Sequence, residues 1–175
     1  MTAFRLPPRA EAPATAVVRF QGQYHLVAME RVEPGQRILR LEGELRAEPS
    51  ATSIQLDLGQ HLEVPREDDL ELILDHYRWR CLHHSCDPST LLRGRDLVAR
   101  RKILPWQELT FDFESTELDL LEPFACVCGS ARCRGRIQGY RHLGPAERRR
   151  LWPRLTDYLR RLEEAGDVRL AGASA

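Results

Sequence analysis

Three cysteines near the end of the chain place the strongest constraint on how it can fold. Cys126, Cys128 and Cys133 form a C-x-C-x4-C array. A structural zinc ion takes four ligands in tetrahedral geometry, so the array is one thiolate short of a complete site. Cys86, in a polar turn near the middle of the chain, is the candidate fourth ligand. Such a site would clamp the end of the chain against this turn. The alternative is three reduced thiols that lie close in sequence without a metal.

The composition fits one domain in a reducing compartment. With 175 residues the chain is long enough to bury a core. Its 26 basic and 26 acidic residues balance, so the charge gives no reason to expect nucleic acid as a partner. No apolar run is long enough to span a membrane, and the first residues do not read as a secretion signal. Five cysteines in such a chain predict metal binding and a cytoplasmic location rather than disulfides.

Three short blocks in the second half of the chain carry a family resemblance. Residues 84–88 read His-Ser-Cys-Asp-Pro, residues 108–113 read Glu-Leu-Thr-Phe-Asp-Phe, and residues 126–137 hold the three cysteines followed by Arg-Gly-Arg-Ile. In this order they resemble the N-H-S-C-x-P-N, E-L-T-F-D-Y and C-x-C-G-x-x-x-C-R-G-x-I motifs of the SET-domain family. That family consists of protein lysine methyltransferases that use S-adenosylmethionine. Any one block is a weak signal, but the three together are specific.

The resemblance implies an α+β, mainly β, fold: a SET domain of small curved β-sheets, a post-SET four-cysteine zinc site and a C-terminal helical extension. The residue pattern alone predicts only a β-rich α+β chain. We divide the chain into a flexible tail at 1–14, a SET domain at 15–125, a post-SET zinc segment at 126–140 and a helical extension at 141–175. Arginines in the extension alternate with acids, which favours a solvated helix face over a nucleic-acid surface.

Local patterns predict most of the secondary structure. Residues 16–20 and 24–29 read as strands around Gly22, and Pro34 and Gly35 stand where a type II turn requires them. Further strands are predicted at 37–41, 53–58, 61–64, 97–101 and 108–113, and a short helix at 68–77. An apolar stripe from residue 151 to 162 predicts a C-terminal helix that Pro153 kinks or restarts.

The resemblance also indicates which residues would bind S-adenosylmethionine. The first cofactor loop of the family, usually Gly-x-Gly, falls on Gln23, Tyr24 and His25. A simple hairpin turn at Gly22 is the alternative interpretation. Both family glycines are replaced here, so this loop departs from the pattern.

The central turn and the zinc segment supply the other cofactor positions. His83 stands where the family has the asparagine that engages the amino-acid end of the cofactor, and His84 follows it. Imidazole can still donate or accept a hydrogen bond there. Two adjacent histidines could instead be metal ligands, although four thiols are already available nearby. Ile137 matches the position that closes over the adenine.

The largest departure from the family falls on a catalytic position. Phe113 replaces the tyrosine whose hydroxyl, in the family, orients the lysine amine near the reactive centre of the cofactor. The ring is kept and one polar contact is lost, which is commonly worth a few kcal/mol in catalysis. The alternative is that Phe113 is simply a core aromatic residue on the buried face of the predicted strand. Phe111, at the position that sets how many methyl groups are added, is unchanged.

Three functions fit these observations. The first is an S-adenosylmethionine-dependent methyltransferase, with a protein lysine as the acceptor that the resemblance implies. The second is a SET scaffold that acts on a small molecule in a biosynthetic pathway, and the third is a pseudoenzyme that binds a cofactor or a protein without turnover. Methyl transfer is the first choice, with a protein or small-molecule acceptor and Zn²⁺ as a structural ion.

Overall fold

The computed structural model describes residues 12–65 and 69–169. In chain order the strands are β1 Thr15–Phe20, β2 Gln23–Ala28, β3 Arg37–Arg40, β4 Glu44–Arg46, β5 Ile54–Asp57, β6 Gln60–Glu63, β7 His83–His84, β8 Thr90–Arg93, β9 Asp96–Ala99, β10 Thr110–Phe111, β11 Phe124–Ala125 and β12 Arg136–Ile137. The α-helices are α1 Leu70–Asp75, α2 Pro145–Leu151 and α3 Asp157–Ala165. The tail predicted at residues 1–14 lies almost wholly outside the described residues, which begin at residue 12.

The strands pair in several small sheets. β1 and β2 form an antiparallel hairpin, and the order β3–β9–β8 makes a three-stranded antiparallel sheet. A second three-stranded antiparallel sheet has the order β4–β6–β5. The remaining pairs are β7 with β10, which is parallel, and β11 with β12, which is antiparallel. Small sheets with few helices agree with the predicted mainly β, α+β class.

The two turns predicted in the first part of the chain are confirmed. The β1–β2 hairpin turns through Gln21 and Gly22, whose φ angles of 50° and 84° are both positive, as a two-residue type I′ turn requires. In the second turn the amide of Gln36 donates to the carbonyl of Glu33 at 3.1 Å, and Gly35 has a φ of 82°. This positive φ is the reason for glycine at that position of a type II turn.

The strand predicted at 108–113 is shorter than expected. β10 ends at Phe111, because the chain turns at the next residue into a 3-10 helix, Phe113–Ser115. The Asp112 carboxylate caps this turn by accepting a hydrogen bond from the amide of Glu114 at 3.3 Å. An aspartate that bonds to the backbone two residues on favours a turn over an extended strand.

The helical extension is interrupted at Pro153, as the sequence predicts. α2 is followed by a 3-10 turn, Trp152–Arg154, and α3 then runs until Gly166, whose φ of 77° gives a left-handed cap. No helix in residues 12–65 and 69–169 has the length and apolar character needed to cross a bilayer.

Two apolar clusters hold the elements together. The main cluster joins the hairpin, the two three-stranded sheets, α1 and the central turn, and includes the fully buried Leu26, Leu41 and Leu109. The second cluster packs α2 and α3 against Leu118 and Tyr140. The C-terminal extension is therefore packed on the domain and is not a separate body of structure.

Candidate functional site

Glu108 lies between two strands that each bring a histidine toward it. It pairs with Val27 of β2 through an isolated antiparallel bridge, and two residues later Thr110 pairs in parallel with His83 of β7. Side chains alternate along a strand, so His25 shares a face with Val27, and Glu108 shares a face with Thr110. The side chains of His25, His83 and Glu108 therefore meet on one face.

The Glu108 carboxylate contacts both imidazoles through one oxygen. Glu108 Oε1 is 2.7 Å from His25 Nδ1 and 3.0 Å from His83 Nδ1. The ring centroids of the two histidines are 4.3 Å apart. The hydrogen bond from His83, followed by that from His25, holds the pKa of Glu108 below its usual value although the carboxyl is partly buried. The ionised carboxylate can accept a hydrogen bond from each Nδ1.

A cavity of about 410 Å³ adjoins this cluster, with His83 in its wall. Four aromatic side chains also line it: Trp79, Phe111, Phe113 and Phe124. This size and this apolar lining are typical of pockets that take a small molecule or a single side chain. The two residues that the sequence marks as the acceptor channel, Phe111 and Phe113, thus share one cavity.

Phe113 belongs to an aromatic cluster at the cavity wall. Its ring centroid is 4.7 Å from that of Phe111, 5.3 Å from that of His84 and 5.9 Å from that of Phe124. These spacings are those of favourable edge-on and tilted ring pairs. The ring is half-buried and offers no hydroxyl to the cavity.

Two charged side chains in the cavity wall have unusual environments. The Nε atom of Arg80 is buried and has no hydrogen-bond partner among the described residues. Glu117 is buried, and its Oε1 accepts from the amide of Gln55 at 2.9 Å and from the hydroxyl of Thr116 at 3.1 Å. Burial raises the pKa of Glu117 to about 7, so the carboxyl is partly protonated at neutral pH.

The His84 ring contacts different groups from those that the His83 ring contacts. Its Nδ1 accepts a hydrogen bond from the amide of Phe113 at 3.2 Å, and its Nε2 lies 3.3 Å from Cys86 Sγ. Burial lowers the pKa of His84 to about 4, so the ring is neutral at ordinary pH. The proton is therefore on Nε2 and faces the sulfur. His84 joins the aromatic cluster to the cysteines, and the structure does not pair the adjacent histidines as ligands of one metal.

The four predicted cysteines come together in space. The Sγ atoms of Cys86, Cys126, Cys128 and Cys133 all lie within 4.8 Å of one another, and those of Cys86 and Cys126 are 3.8 Å apart. Tetrahedral zinc with Zn–S bonds of about 2.3 Å requires S–S separations of about 3.8 Å. The amides of Arg134 and Gly135 donate to the sulfurs of Cys86 and Cys133, each at 3.4 Å. These donors are arranged as they would be around thiolates that hold a metal ion.

Comparisons with known proteins identify the fold. No family model matches the sequence. Methyltransferase flvH from Aspergillus flavus is 36% identical over 117 residues, which are 63% of this chain and 61% of flvH. Histone-lysine N-methyltransferase ATX2 from Arabidopsis thaliana is 37% identical over 62 residues, or 31% of this chain and 6% of ATX2. A crystal structure of KRYPTONITE in complex with mCHG DNA and SAH matches with a TM-score of 0.53 and 22% identity, covering 71% of this chain and 29% of that one.

The chain has a SET-domain fold. The resemblance to SET-domain methyltransferases that the sequence blocks indicate is confirmed. The chain spans about three fifths of the length of flvH and a far smaller part of ATX2.

The predicted cofactor residues of this SET domain have different surroundings. Gln23 is exposed at the start of β2, and Tyr24 is half-buried against the main core, with the Arg19 guanidinium 5.8 Å above its ring. Ile137 is fully buried and pairs with Phe124 across β11 and β12. It is therefore a strand neighbour of a cavity residue and is not itself in the lining.

Sequence reasoning missed a buried network that fastens the cysteine segment of the SET domain to the turn after β10. Arg134, directly after Cys133, bonds both oxygens of Asp112, with one contact at 3.0 Å, and bonds Glu114 Oε2 at 2.6 Å. Glu114 Oε1 in turn accepts from the amides of Gln138 and Gly139 at 3.0 and 3.3 Å. The signal available in the sequence was the Arg next to the last cysteine, but its partners are about 20 residues away.

Proposed function

We propose that this SET domain transfers a methyl group from S-adenosylmethionine to an amine. The observation that carries the proposal is the aromatic cavity, which places Phe111 and Phe113 in one wall beside the signature turn at His83. The similarity to proteins named methyltransferases supports the same conclusion. A pseudoenzyme that only binds cofactor or a partner is the outcome that the experiment below must separate.

One set of residues in the chain would bind the cofactor, and another would orient the acceptor amine. The main chain of Gln23, Tyr24 and His25 and the side chain of His83 would engage the amino-acid end of the cofactor, and Ile137 would support the adenine. Bound S-adenosylmethionine supplies an electrophilic methyl group, to which the amine nitrogen forms a bond while the carbon–sulfur bond breaks. Phe111, Phe113 and Phe124 would exclude water from the amine and orient it. The amine must lose its proton before attack, and an apolar wall favours its neutral form.

The side chains that replace the family residues can still perform part of the expected role. His83 offers an imidazole in place of an asparagine amide, and Phe113 offers a ring without a hydroxyl. Positioning and exclusion of water remain, while one polar contact at the reacting centre is lost. We therefore expect methyl transfer that is slower than the full set of groups would give.

A protein lysine is the first candidate acceptor. ATX2 is named a histone-lysine N-methyltransferase, and KRYPTONITE has also been crystallised with an H3(1–15) peptide and SAH. A lysine side chain is long and narrow, and a cavity of about 410 Å³ with aromatic walls would accommodate it.

A small amine that also carries a carboxylate is the second candidate acceptor. Arg80 lines the cavity, and its buried Nε has no hydrogen-bond partner among the described residues, which an acceptor carboxylate would supply. The α1 helix has only six residues, so it adds little surface for gripping a long peptide. The flvH name specifies a methyltransferase and no histone.

Two further assignments belong to this proposal. The four cysteines would hold one structural zinc ion, with no open position for catalysis. The five cysteines, all free in the structure, are consistent with a reducing compartment, and we place the protein in the cytoplasm.

Labelled S-adenosylmethionine tests the proposal against both acceptors. The protein is incubated with a lysine peptide panel and, separately, with a panel of small amino acids and their decarboxylated amines. Label in either panel supports methyl transfer, and label in neither, at a protein concentration that binds the cofactor, supports the pseudoenzyme. Arg80→Gln separates the acceptors: it should raise KM at least tenfold for a carboxylate-bearing amine and leave peptide methylation unchanged.

A further inference from the structure

The cluster of His25, His83 and Glu108 has the composition of a transition-metal site. Two imidazoles and one carboxylate supply ligand atoms that all lie within 4.8 Å of one another. Two histidines with one carboxylate form a common three-ligand set for divalent first-row metals, and it leaves coordination positions open. The side chains are 17%, 36% and 37% exposed in that order, so an ion has a path to them.

The charges around Glu108 differ from those around the nearby carboxylates Asp87, Asp112 and Glu114. Asp87 pairs with Arg100 and Arg101, and Asp112 and Glu114 pair with Arg134. Glu108, by contrast, has only imidazoles as charged or chargeable partners within the described residues. No arginine or lysine in that part of the chain takes the position that a metal cation would fill.

The spacing of the cluster is close to that of metal ligands. Bonds of about 2.0–2.2 Å from a metal to nitrogen and oxygen place neighbouring ligand atoms about 3 Å apart. The observed separations from Glu108 Oε1 are 2.7 Å to His25 Nδ1 and 3.0 Å to His83 Nδ1. Each imidazole would bind the ion through Nδ1 and carry its proton on Nε2, a tautomer that neutral histidine can adopt.

Two departures from the SET motif converge on this one carboxylate. His25 stands in place of a glycine of the cofactor loop, and His83 stands in place of the signature asparagine. They are far apart in sequence and lie on different strands, β2 and β7. The segment before β10 brings Glu108 between them.

We propose that His25, His83 and Glu108 bind one divalent transition-metal ion, separate from the four-cysteine zinc site. The ion has three protein ligands, and the cluster lies next to the aromatic cavity that His83 lines. The proposal does not rest on methyl transfer, because the site is defined by its own ligands and is measured without cofactor.

Calorimetric titration with Ni²⁺ tests this site in protein that holds one zinc ion per chain, because the four cysteines are then filled and the second site is empty. Wild type should bind one Ni²⁺ per chain. His83→Asn restores the residue of the SET motif, and Glu108→Gln keeps the shape of the side chain; each should weaken binding at least tenfold. His142→Asn is the matched control, because it removes another imidazole that pairs with a carboxylate, Asp119 at 2.8 Å, outside the cluster. It should bind Ni²⁺ as wild type does.

Melting curves confirm that each variant is folded before titration. As a second readout, the spectrum of bound Cu²⁺ in electron paramagnetic resonance should show imidazole nitrogens in wild type and in His142→Asn. Wild-type protein that binds no Ni²⁺ would overturn the proposal. Folded His83→Asn or Glu108→Gln protein with wild-type affinity would overturn it too.

Discussion

Arg134 binds both carboxylate oxygens of Asp112, and neither side chain is substantially exposed. The pair joins the residue after Cys133, the last cysteine of the cluster, to the end of the E-L-T-F-D-F block. Because Phe113 directly follows Asp112, an ordered cysteine segment also fixes the position of Phe113. The cysteine segment and the cavity wall are parts of one packed unit.

Removal of Arg134 should destabilise the fold strongly. Arg134→Ala leaves Glu114, with its side chain 1% exposed, buried without its cation, and leaves the buried Asp112 with only Arg154 at 3.6 Å. Breaking a buried ion pair from one side costs about 3–5 kcal/mol in the free energy of unfolding. Urea unfolding measures this change. Arg132→Ala, at an exposed position two residues earlier, is the control and should cost less than about 0.5 kcal/mol.

Loss of one cysteine ligand should release zinc and lower the melting temperature. Four thiolates around one ion contribute folding free energy directly. The zinc content of Cys128→Ser should therefore be well below the one ion per chain expected for wild type. Cys81→Ala is the control for stoichiometry, since Cys81 is buried away from the cluster and should leave one zinc bound. Elemental analysis and thermal melting measure both effects. Folded wild-type protein without zinc would contradict the assignment.

Much of this arrangement could be predicted from local sequence. The hairpin at Gly22, the turn at Gly35 and the break at Pro153 follow from residues with fixed backbone preferences. The cysteine spacing predicted a cluster because four thiols in such a chain have few other uses. These features depend on short stretches whose chemistry permits few conformations.

The polar networks of the site could not be predicted in the same way. Glu108 reads as the first residue of a strand, and nothing nearby in sequence indicates that β2 and β7 bring His25 and His83 to it. The buried Glu117 likewise lies among other acidic residues, and nothing nearby in sequence indicates that it is buried. Long-range pairing of strands decides such contacts, and a single sequence carries little information about it.

Glu117 should make the protein less stable as the pH rises. Its folded pKa of about 7 lies above the value of 4.5 for an ordinary glutamate, because burial disfavours the charged form. The folded state therefore holds a proton that the unfolded state loses, and this contribution, on the order of 3 kcal/mol, is present below pH 4.5 and lost as the pH rises through 7.

The variant Glu117→Gln isolates this effect. It keeps an acceptor oxygen for Gln55 and carries no charge, so its stability relative to wild type should increase between pH 4.5 and pH 7 and then level off. Denaturant unfolding at several pH values measures the difference. Glu122→Gln, at an exposed position of the same cavity wall, should show no such trend. An equal trend in both variants would exclude Glu117 as the cause.

The substitution Phe113→Tyr tests the role of the missing hydroxyl. The ring is already accommodated, so folding should be unchanged and one oxygen is added at the cavity wall. If the acceptor is a lysine, the rate should rise by about tenfold to a hundredfold, because a placed polar group near the reacting atoms contributes a few kcal/mol. For a small-molecule acceptor the hydroxyl would be partly unsatisfied, at a cost of about 1–3 kcal/mol, and the activity should fall.

The labelled-methyl assays on both acceptor panels measure this change. A wild-type enzyme that methylates lysine rapidly and slows when it gains the hydroxyl would show that Phe113 does not correspond to the family tyrosine. A pseudoenzyme would show no turnover with either residue.

The most direct test of the account is calorimetric titration of the zinc-loaded protein with S-adenosylmethionine and then with S-adenosylhomocysteine. We predict saturable binding of one molecule per chain, with each ligand displacing the other from the same site. His142→Asn, outside the site, should bind both as wild type does. Folded, zinc-loaded wild-type protein that binds neither ligand at millimolar concentration would contradict the proposal that this SET domain is a methyltransferase.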